Sequence, residues 1–225
     1  MPWPDGATGA FASSGPPSGL QTTGMNSKQR RTAASPLAAS ATPAAPPPAA
    51  RKTAPPSSAP GKVLHGLAPV VASHTRLLIL GSFPSVRSLA TQQYYAHPQN
   101  QFWRILGLLW QQDLMALPYA ERCAQALAHG LGIWDVYASC QRQGSLDSAI
   151  THATVNDFVA LARQCPQLQA IAHNGGESWR HHKHSAALGL PVHKLPSTSP
   201  ANASWSLERK LAAWREVLQP YGLCD

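Results

Sequence analysis

The segment Arg76-Leu-Leu-Ile-Leu-Gly-Ser-Phe-Pro-Ser85 decides how this 225-residue chain can fold. Its apolar run does not alternate with polar residues, which is typical of a strand buried on both faces of a sheet. Gly81 ends the predicted strand 76–80, and the Ser and Pro residues after it indicate a turn. A strand of this kind predicts a parallel sheet covered by helices.

The sequence beyond this segment continues with short apolar runs that alternate with helical periodicity. Further strands are predicted at residues 132–136, 168–172 and 191–195. Helices are predicted over 100–110, 118–130, 154–163 and 177–188, with a last helix from near Ser204. The helix over 154–163 would begin with a capping-box-like spacing of Thr154 and Asp157. This alternation implies an α/β fold, here a three-layer α/β/α sandwich around a short, mostly parallel, four-stranded sheet.

The first sixty residues differ in composition from the rest. They hold 12 of the 21 prolines, are rich in Ala, Ser, Thr and Gly, and carry five basic residues against one acidic residue. Such a segment buries too little apolar surface to offset the entropy of ordering, so we predict a disordered basic tail over residues 1–60 and a folded domain over 61–225. The tail is also compatible with an organelle targeting peptide, or with translation from Met25.

The net charge and the spacing of the cysteines indicate which partners and cofactors to expect. The formal net charge of +8 favours a polyanionic partner, either nucleic acid or an acidic membrane surface. No apolar run approaches the roughly 20 residues that span a bilayer, so we expect a soluble cytoplasmic protein. The four cysteines are scattered without a CxxC pair, which favours reduced structural thiols over a metal or iron–sulfur site.

Four segments rich in Gly, Pro, Ser and Asn follow the four predicted strands. They are residues 81–85, 135–139, 174–176 and 196–202. Ligands of parallel α/β sheets bind outside the carboxyl ends of the strands, so these segments are expected to converge on one site. Each of them alone is equally compatible with an ordinary turn.

The segment 81–85 can be such a turn, or a place where Gly81 lets the backbone approach a ligand while Ser82 and Ser85 offer hydroxyl groups. No GxGxxG or GxxxxGK[ST] pattern is present, so a dinucleotide or nucleoside triphosphate site is not indicated. In the connection before the next helix, Tyr95 and His97 suit stacking on, and hydrogen bonding to, a heterocyclic base. Asn100 beside them is either the N-cap of that helix or a functional amide.

Asn174 and the segment 197–199 can each be interpreted in two ways. Asn174 ends a buried strand, where its amide must be satisfied by backbone groups or by a ligand such as the lactam edge of a flipped base. Ser197, Thr198 and Ser199 lie between two prolines, and they either grip phosphates or form a polar loop before the last helix.

These residues together resemble a known family. The strings are Leu78-Ile-Leu-Gly-Ser-Phe-Pro-Ser85, Gln93-Tyr-Tyr-Ala-His-Pro-Gln-Asn-Gln-Phe-Trp103, Gly132-Ile-Trp-Asp-Val136 and Leu195-Pro-Ser-Thr-Ser-Pro-Ala201. They resemble the hypoxanthine-DNA glycosylase family of the uracil-DNA glycosylase superfamily, over about Gly66 to Tyr221. The resemblance implies the same α/β/α sandwich and an enzyme that hydrolyses the N-glycosidic bond of a deaminated base without metal or cofactor, leaving an abasic site. Its partner would be DNA that contains deaminated bases, and we expect a monomer.

The resemblance also assigns roles to residues. Many uracil-specific relatives carry Asn or Asp in the first motif to position the attacking water, where this chain has Ser82, Phe83, Pro84 and Ser85. We therefore assign the water to Asn100 and stabilisation of the leaving base to His97. Asn174 would recognise the lactam edge of hypoxanthine, which uracil and xanthine share. The other base contacts are assigned to Tyr95, Phe83, Gly81 and Ser82, and the phosphate contacts to Ser85, Ser197, Thr198 and Ser199.

Two other functions are compatible with parts of the sequence. A non-catalytic nucleic-acid-binding module on the same scaffold would gain affinity from the basic tail. A serine hydrolase would use Ser82 with His193 or His97, but Gly-Ser-Phe-Pro is not the GxSxG nucleophile elbow, and no acidic partner is placed by spacing.

Overall fold

The computed structural model describes residues 62–225, and the tail predicted for residues 1–60 lies outside them. In chain order the strands are β1 (Val63–His65), β2 (Leu77–Gly81), β3 (Leu131–Asp135), β4 (Tyr137–Gln141), β5 (Thr151–Val155), β6 (Ala170–Asn174) and β7 (Val192–Leu195). The helices are α1 (Val86–Thr91), α2 (Phe102–Trp110), α3 (Tyr119–Ala128), α4 (Phe158–Gln164), α5 (Gly176–Trp179), α6 (His182–Ala186) and α7 (Leu207–Leu218). None of the helices in this part of the chain is long and apolar enough to cross a membrane.

The larger sheet contains four parallel strands in the order β3-β2-β6-β7. Every residue of β2 is buried, because β2 pairs with a strand on each side and is covered on both faces. The four predicted strands are therefore confirmed, with their ends displaced by one or two residues. All four carboxyl ends lie at the same edge of the sheet.

One face of this sheet is covered by α2 and α7. Leu77 and Ile79 pack there with Phe102 of α2 and Trp214 of α7, and none of the four is accessible to solvent. The indole N–H of Trp214 donates to the carbonyl oxygen of Pro196 (3.3 Å). The core therefore also fixes the start of the segment that follows β7.

The opposite face is covered by α4. Leu78 and Leu80 of β2 alternate with the residues of the first face and pack against Phe158 and Leu161. One apolar cluster on each face of a four-stranded parallel sheet gives three layers, which confirms the predicted sandwich.

A second, antiparallel sheet of three strands in the order β1-β4-β5 was not predicted. Two sequence predictions are wrong because of it. Residues 135–139, taken as a loop, mostly belong to β4, and Thr154, taken as the start of a helix, lies in β5. The helix begins at Phe158 instead, where the Asp157 carboxylate caps it by accepting from the Ala160 N–H (2.9 Å).

Two helix predictions also need adjustment. The single helix predicted over 177–188 is two short helices, α5 and α6. The last helix starts at Leu207 rather than near Ser204, because the Ser206 hydroxyl accepts from the Arg209 N–H and so sets the N-terminus. The four cysteines form no disulfide with one another.

Candidate active site

A pocket of about 1020 Å³ opens at the carboxyl ends of the parallel strands, where ligands of such sheets bind. It brings Asn100 and Asn174 into one cavity, as the sequence analysis required. All the predicted site residues line it: Gly81, Ser82, Phe83, Ser85, Tyr95, His97, Asn100, Asn174, Ser197, Thr198 and Ser199.

The floor of the pocket is a row of residues at the strand ends. Asp135 lies opposite Gly81 in the sheet register, and Asn174 lies opposite Leu195. The pairing of Leu80 with His173 makes Gly81 and Asn174 neighbours at the next position. Side chains in register point to the same face of a sheet, so Asp135 and Asn174 flank the position at which Gly81 has no side chain.

Asp135 is a floor residue that the sequence analysis did not assign to the site. It is only 4% exposed, and its Oδ2 atom has no hydrogen-bond partner. Burial raises the pKa of its carboxyl to about 8, helped by the negative charge of Asp147 and opposed by Arg142. The sequence carried a signal for it, because Asp135, like Asn174, is a polar residue at the end of a buried apolar run.

Tyr95 lies above this floor with a left-handed backbone (φ 56°), which is costly for a residue with a bulky side chain. One face of its ring stacks on Phe102, with ring centroids 3.8 Å apart. Its hydroxyl is buried without a hydrogen-bond partner. Burial raises the pKa of Tyr95 far above the ordinary value, with a further rise from Asp135 and an opposing effect of the Asn174 side chain. Tyr95 is therefore a neutral hydroxyl group available to a ligand.

His97 and Asn100 occupy the wall of the pocket before α2. The Gln99 N–H donates to Nδ1 of His97 (3.2 Å), which places the hydrogen of the neutral ring on Nε2. The N-cap of α2 is Gln101, not Asn100, but Oδ1 of Asn100 accepts from the Phe102 N–H (3.0 Å) at the first residue of the helix. Its amide nitrogen forms no hydrogen bond within residues 62–225 and is free for a ligand.

Asn174 is held by Thr198. Its Oδ1 accepts from the Thr198 N–H (3.0 Å), and its Nδ2 donates to the Thr198 hydroxyl (2.9 Å). An amide group has two hydrogens and two oxygen lone pairs, so one of each remains for a base. Thr198 itself is 1% exposed and faces Asn174 rather than the surface.

The segment after β2 forms the opposite wall. The Phe83 ring is buried in the second apolar cluster, with the Arg142 guanidinium 5.0 Å from its centroid. The Ser85 hydroxyl caps α1 by accepting from the Ser88 N–H (3.1 Å). Ser82 donates to Oδ1 of Asp147 (2.7 Å), which comes from the connection between β4 and β5.

Comparisons with known proteins bear on this arrangement. The model of the Uracil DNA glycosylase superfamily matches residues 68–219. The chain belongs to this superfamily. Two relatives named Hypoxanthine DNA glycosylase are each 34% identical to it: one from Methanosarcina barkeri over 154 residues (68% of this chain, 97% of the relative) and one from Methanosarcina acetivorans over 157 residues (70% and 99%). The solution NMR structure of a candidate uracil DNA glycosylase from M. acetivorans superposes with a TM-score of 0.65 at 33% identity, covering 71% of this chain and 99% of that one.

The comparisons confirm the resemblance found in the sequence, and they identify the chain as a DNA glycosylase. The serine hydrolase alternative has no support in the geometry of this glycosylase. The Ser82 hydroxyl is bonded to Asp147, not to an imidazole. Nε2 of His193 is hydrogen-bonded to the Tyr221 hydroxyl (2.7 Å), and neither residue lines the pocket. Ser82 therefore lacks the general base that a nucleophilic serine requires.

A buried lysine of α7 holds the segment after β7 through hydrogen bonds. The ammonium group of Lys210, 2% exposed, donates to Oε1 of Gln101 (2.9 Å) and to the carbonyl oxygen of Asn202 (3.0 Å). Ser197 and Ser199 in this segment are half-buried, and the Ser197 hydroxyl accepts from the Ser199 N–H (3.2 Å). Lys210 thus ties the loop of the glycosylase pocket to the start of α2.

Leu146, Asp147 and Trp205 are among the further residues of the glycosylase pocket that sequence reasoning missed. Leu146 and Asp147 belong to an exposed connection without a local pattern, and Trp205 precedes α7 with the Arg209 guanidinium 4.4 Å from its ring centroid. Within residues 62–225 no three His, Cys, Asp or Glu side chains lie close enough to share a metal ion.

Proposed function

We propose that this glycosylase removes hypoxanthine from deoxyinosine in DNA, with uracil and xanthine as further substrates, and that it acts as a monomer. The observation that carries the proposal is the pocket floor, where a carboxyl and a carboxamide flank the bare backbone of Gly81. Such a floor offers donors and acceptors to the lactam edge of a base without a free cation or anion. The names of both relatives agree with this substrate.

The reaction separates charge. Positive charge develops on the sugar and negative charge on the departing base, as in other glycosidic cleavages. The free amide of Asn100, fixed by its hydrogen bond to the Phe102 N–H, would position the attacking water or face the sugar cation. His97, with its hydrogen on Nε2, would donate to the base. Because Asn100 accepts from the N–H of the first residue of α2, its position is set by the backbone of that helix.

Base recognition would use Asn174. Hypoxanthine presents O6 as an acceptor and N1–H as a donor, whereas adenine presents the reverse pattern. Asn174 retains one amide hydrogen and one oxygen lone pair after bonding to Thr198. A buried group left unsatisfied by the wrong base costs about 1–3 kcal/mol, which gives useful discrimination.

The target bond lies inside the stacked duplex, so the nucleotide would be flipped into the pocket. Hydroxyl groups on the two walls, at Ser85 on one side and Ser197 and Ser199 on the other, would hold the flanking phosphates. Thr198 would act differently, by holding Asn174 in place. Water would be the nucleophile and an abasic site the product.

The first experiment is an excision panel. Labelled duplexes and single strands containing inosine, deoxyuridine or deoxyxanthosine are incubated with the protein and then treated with alkali, which breaks the strand at abasic sites. We expect breakage at inosine. Binding to inosine DNA without breakage would instead indicate a non-catalytic nucleic-acid-binding module.

Asn100 is tested with Asn100→Ser and Asn100→Ala. A serine hydroxyl can also accept from the Phe102 N–H, so Asn100→Ser should leave the start of α2 intact while removing the amide. Both variants should lose about 10²–10³ in kcat and keep their affinity for inosine DNA. Gln99→Ala, which removes an exposed neighbouring amide outside the pocket, is the control. Near-normal turnover of Asn100→Ser would rule out the catalytic role.

Asn174 is tested with Asn174→Asp in the same panel. A carboxylate can accept from N1–H but cannot donate to O6, so the order of preference among the three bases should change. An unchanged order would remove Asn174 from base recognition.

A further inference from the structure

Asp135 is a buried acid without a counterion. No salt bridge to it exists within residues 62–225, and its Oδ2 atom has no hydrogen-bond partner. An ionised carboxylate in such a place would be costly, so the neutral acid is the stable form. This agrees with the rise of its pKa to about 8, which burial causes first.

The carboxyl packs directly over the backbone of Gly81 on the pocket floor. A Cβ atom at Gly81 would lie 2.3 Å from Oδ1 of Asp135 and 3.3 Å from the Tyr95 hydroxyl. The Tyr95 hydroxyl is also buried without a partner. Two unsatisfied polar groups therefore meet at the one floor position that lacks a side chain. Buried polar groups in native proteins are almost always hydrogen-bonded, so the arrangement calls for a ligand there.

The groups that face Asp135 come from several elements. Tyr94 and Tyr95, before α2, are neutral because burial raises the pKa of each hydroxyl. Asp147 supplies a negative charge from the connection between β4 and β5, and Arg142 supplies a positive charge just after β4. These two charges act in opposite directions, and burial decides the protonation of Asp135.

We propose that the protonated carboxyl of Asp135 donates a hydrogen bond to an acceptor atom of the bound purine, and that it thereby recognises the base together with Asn174 and stabilises it as it leaves. The inference rests on the proposed function and adds a residue to it. The donor needs no proton transfer, because the hydrogen bond strengthens as negative charge develops on the base. A neutral carboxylic acid on the floor also avoids the repulsion that a carboxylate would exert on that charge.

The test is the pH dependence of excision from an inosine duplex, between about pH 6 and about pH 9.5, under single-turnover conditions. The wild-type rate should fall as pH rises through about 8, where Asp135 ionises. Asp135→Asn keeps a donor that does not ionise, so it should stay within about tenfold of wild type at neutral pH and lose the alkaline fall. Asp135→Ala should lose about 10²–10³ in rate at every pH.

Two comparisons make the test specific. The lactam of inosine also ionises in alkaline solution. Because wild type and Asp135→Asn act on the same substrate, a difference between their pH profiles arises from the enzyme and not from the substrate. Asp147→Asn removes the negative charge that favours the neutral form of Asp135, and it should move the alkaline fall to lower pH.

Urea denaturation gives an independent measurement. A carboxyl whose pKa is raised by folding stabilises the folded state fully below its unfolded pKa, and this stabilisation is lost as pH rises through about 8. Asp135→Asn should flatten that slope. The same alkaline fall in Asp135→Asn as in wild type, or near-normal rates in Asp135→Ala, would overturn the role of Asp135. Absence of excision by wild type on every base would instead overturn the proposed function.

Discussion

Gly81→Ala tests whether the space between Asp135 and Asn174 holds the base. The added methyl group would lie 2.3 Å from Oδ1 of Asp135, so one of the two must move by about 1 Å to reach an ordinary contact. Overpacking of this kind costs about 1–3 kcal/mol, and the lower flexibility of Ala in a strand offsets about 0.5–1 kcal/mol of it. We expect a net loss of about 0.5–2 kcal/mol in the free energy of unfolding.

The effect of Gly81→Ala on excision should exceed its effect on stability. Displacement of a bound substrate by about 1 Å can reduce a rate about 100-fold, and the methyl group would push the Asp135 carboxyl away from its place on the floor. The assay is single-turnover excision from an inosine duplex at saturating protein, with urea denaturation in parallel. A fall of about 100-fold in rate is expected at a temperature where the variant is fully folded.

Two other glycines provide matched controls. Gly132→Ala, on the opposite face of β3, would place its methyl group 2.8 Å from Cγ2 of Thr75, so it should lose similar stability without changing the pocket. Gly176→Ala lines the pocket but meets nothing within 4 Å, so its stability and rate should both stay close to wild type. If Gly81→Ala excised at a rate within about threefold of Gly132→Ala, the reasoning about the floor would fail.

Three further outcomes are expected. Lys210→Met removes the hydrogen bond to the Asn202 carbonyl. KM for inosine DNA should therefore rise several-fold, and the free energy of unfolding should fall by about 1–3 kcal/mol. An unchanged KM would show that the loop does not depend on this contact. Thr198→Val removes the hydroxyl to which Nδ2 of Asn174 donates and keeps the backbone N–H that donates to its Oδ1, so base preference should change while the salt dependence of binding stays constant. A smaller salt slope would instead favour the phosphate-binding role that the sequence suggested. Burial lowers the pKa of His173 to about 4, so this residue stabilises the fold above about pH 6.5 and loses that effect as pH falls toward 4; His173→Gln should flatten this slope in urea denaturation, and an equal slope would contradict the assignment.

The sequence predicted the large sheet better than the small one for a physical reason. Strands such as β2 are buried on both faces and appear as uninterrupted apolar runs. The residues of β5 are mostly exposed, so they show neither an apolar run nor a clear alternation. Thr154 and Asp157 then matched a helix N-terminus by spacing alone, although only Asp157 caps a helix. Pairing with β4, a tertiary interaction, decided the conformation of Thr154.

The candidate site was predictable wherever a residue followed directly from a strand or a motif. Asn174 was recognised because it is polar at the end of a buried run. Asp135 carries the same signal, but it was grouped with the residues after it as a loop, and the structure shows that β4 begins two residues later. Asp147 had no local signal, since tertiary hydrogen bonds, from Ser82 to Asp147 and from the Val86 N–H to the Ser145 hydroxyl, bring its connection to the pocket.

The residues proposed to recognise the base and those proposed to bind phosphates stand on parts of the fold that differ in rigidity. The residues proposed to recognise the base stand on strands of the central sheet: Asp135 ends the edge strand β3, which pairs with β2, and Asn174 ends β6, which lies between β2 and β7. The residues proposed to hold phosphates, among them Ser197 and Ser199, stand on a loop that is anchored through side chains such as Lys210. Sites on strands are held more precisely than sites on loops. Substitutions on the floor should therefore change kcat and base preference, whereas substitutions in the loop should change KM and its dependence on salt.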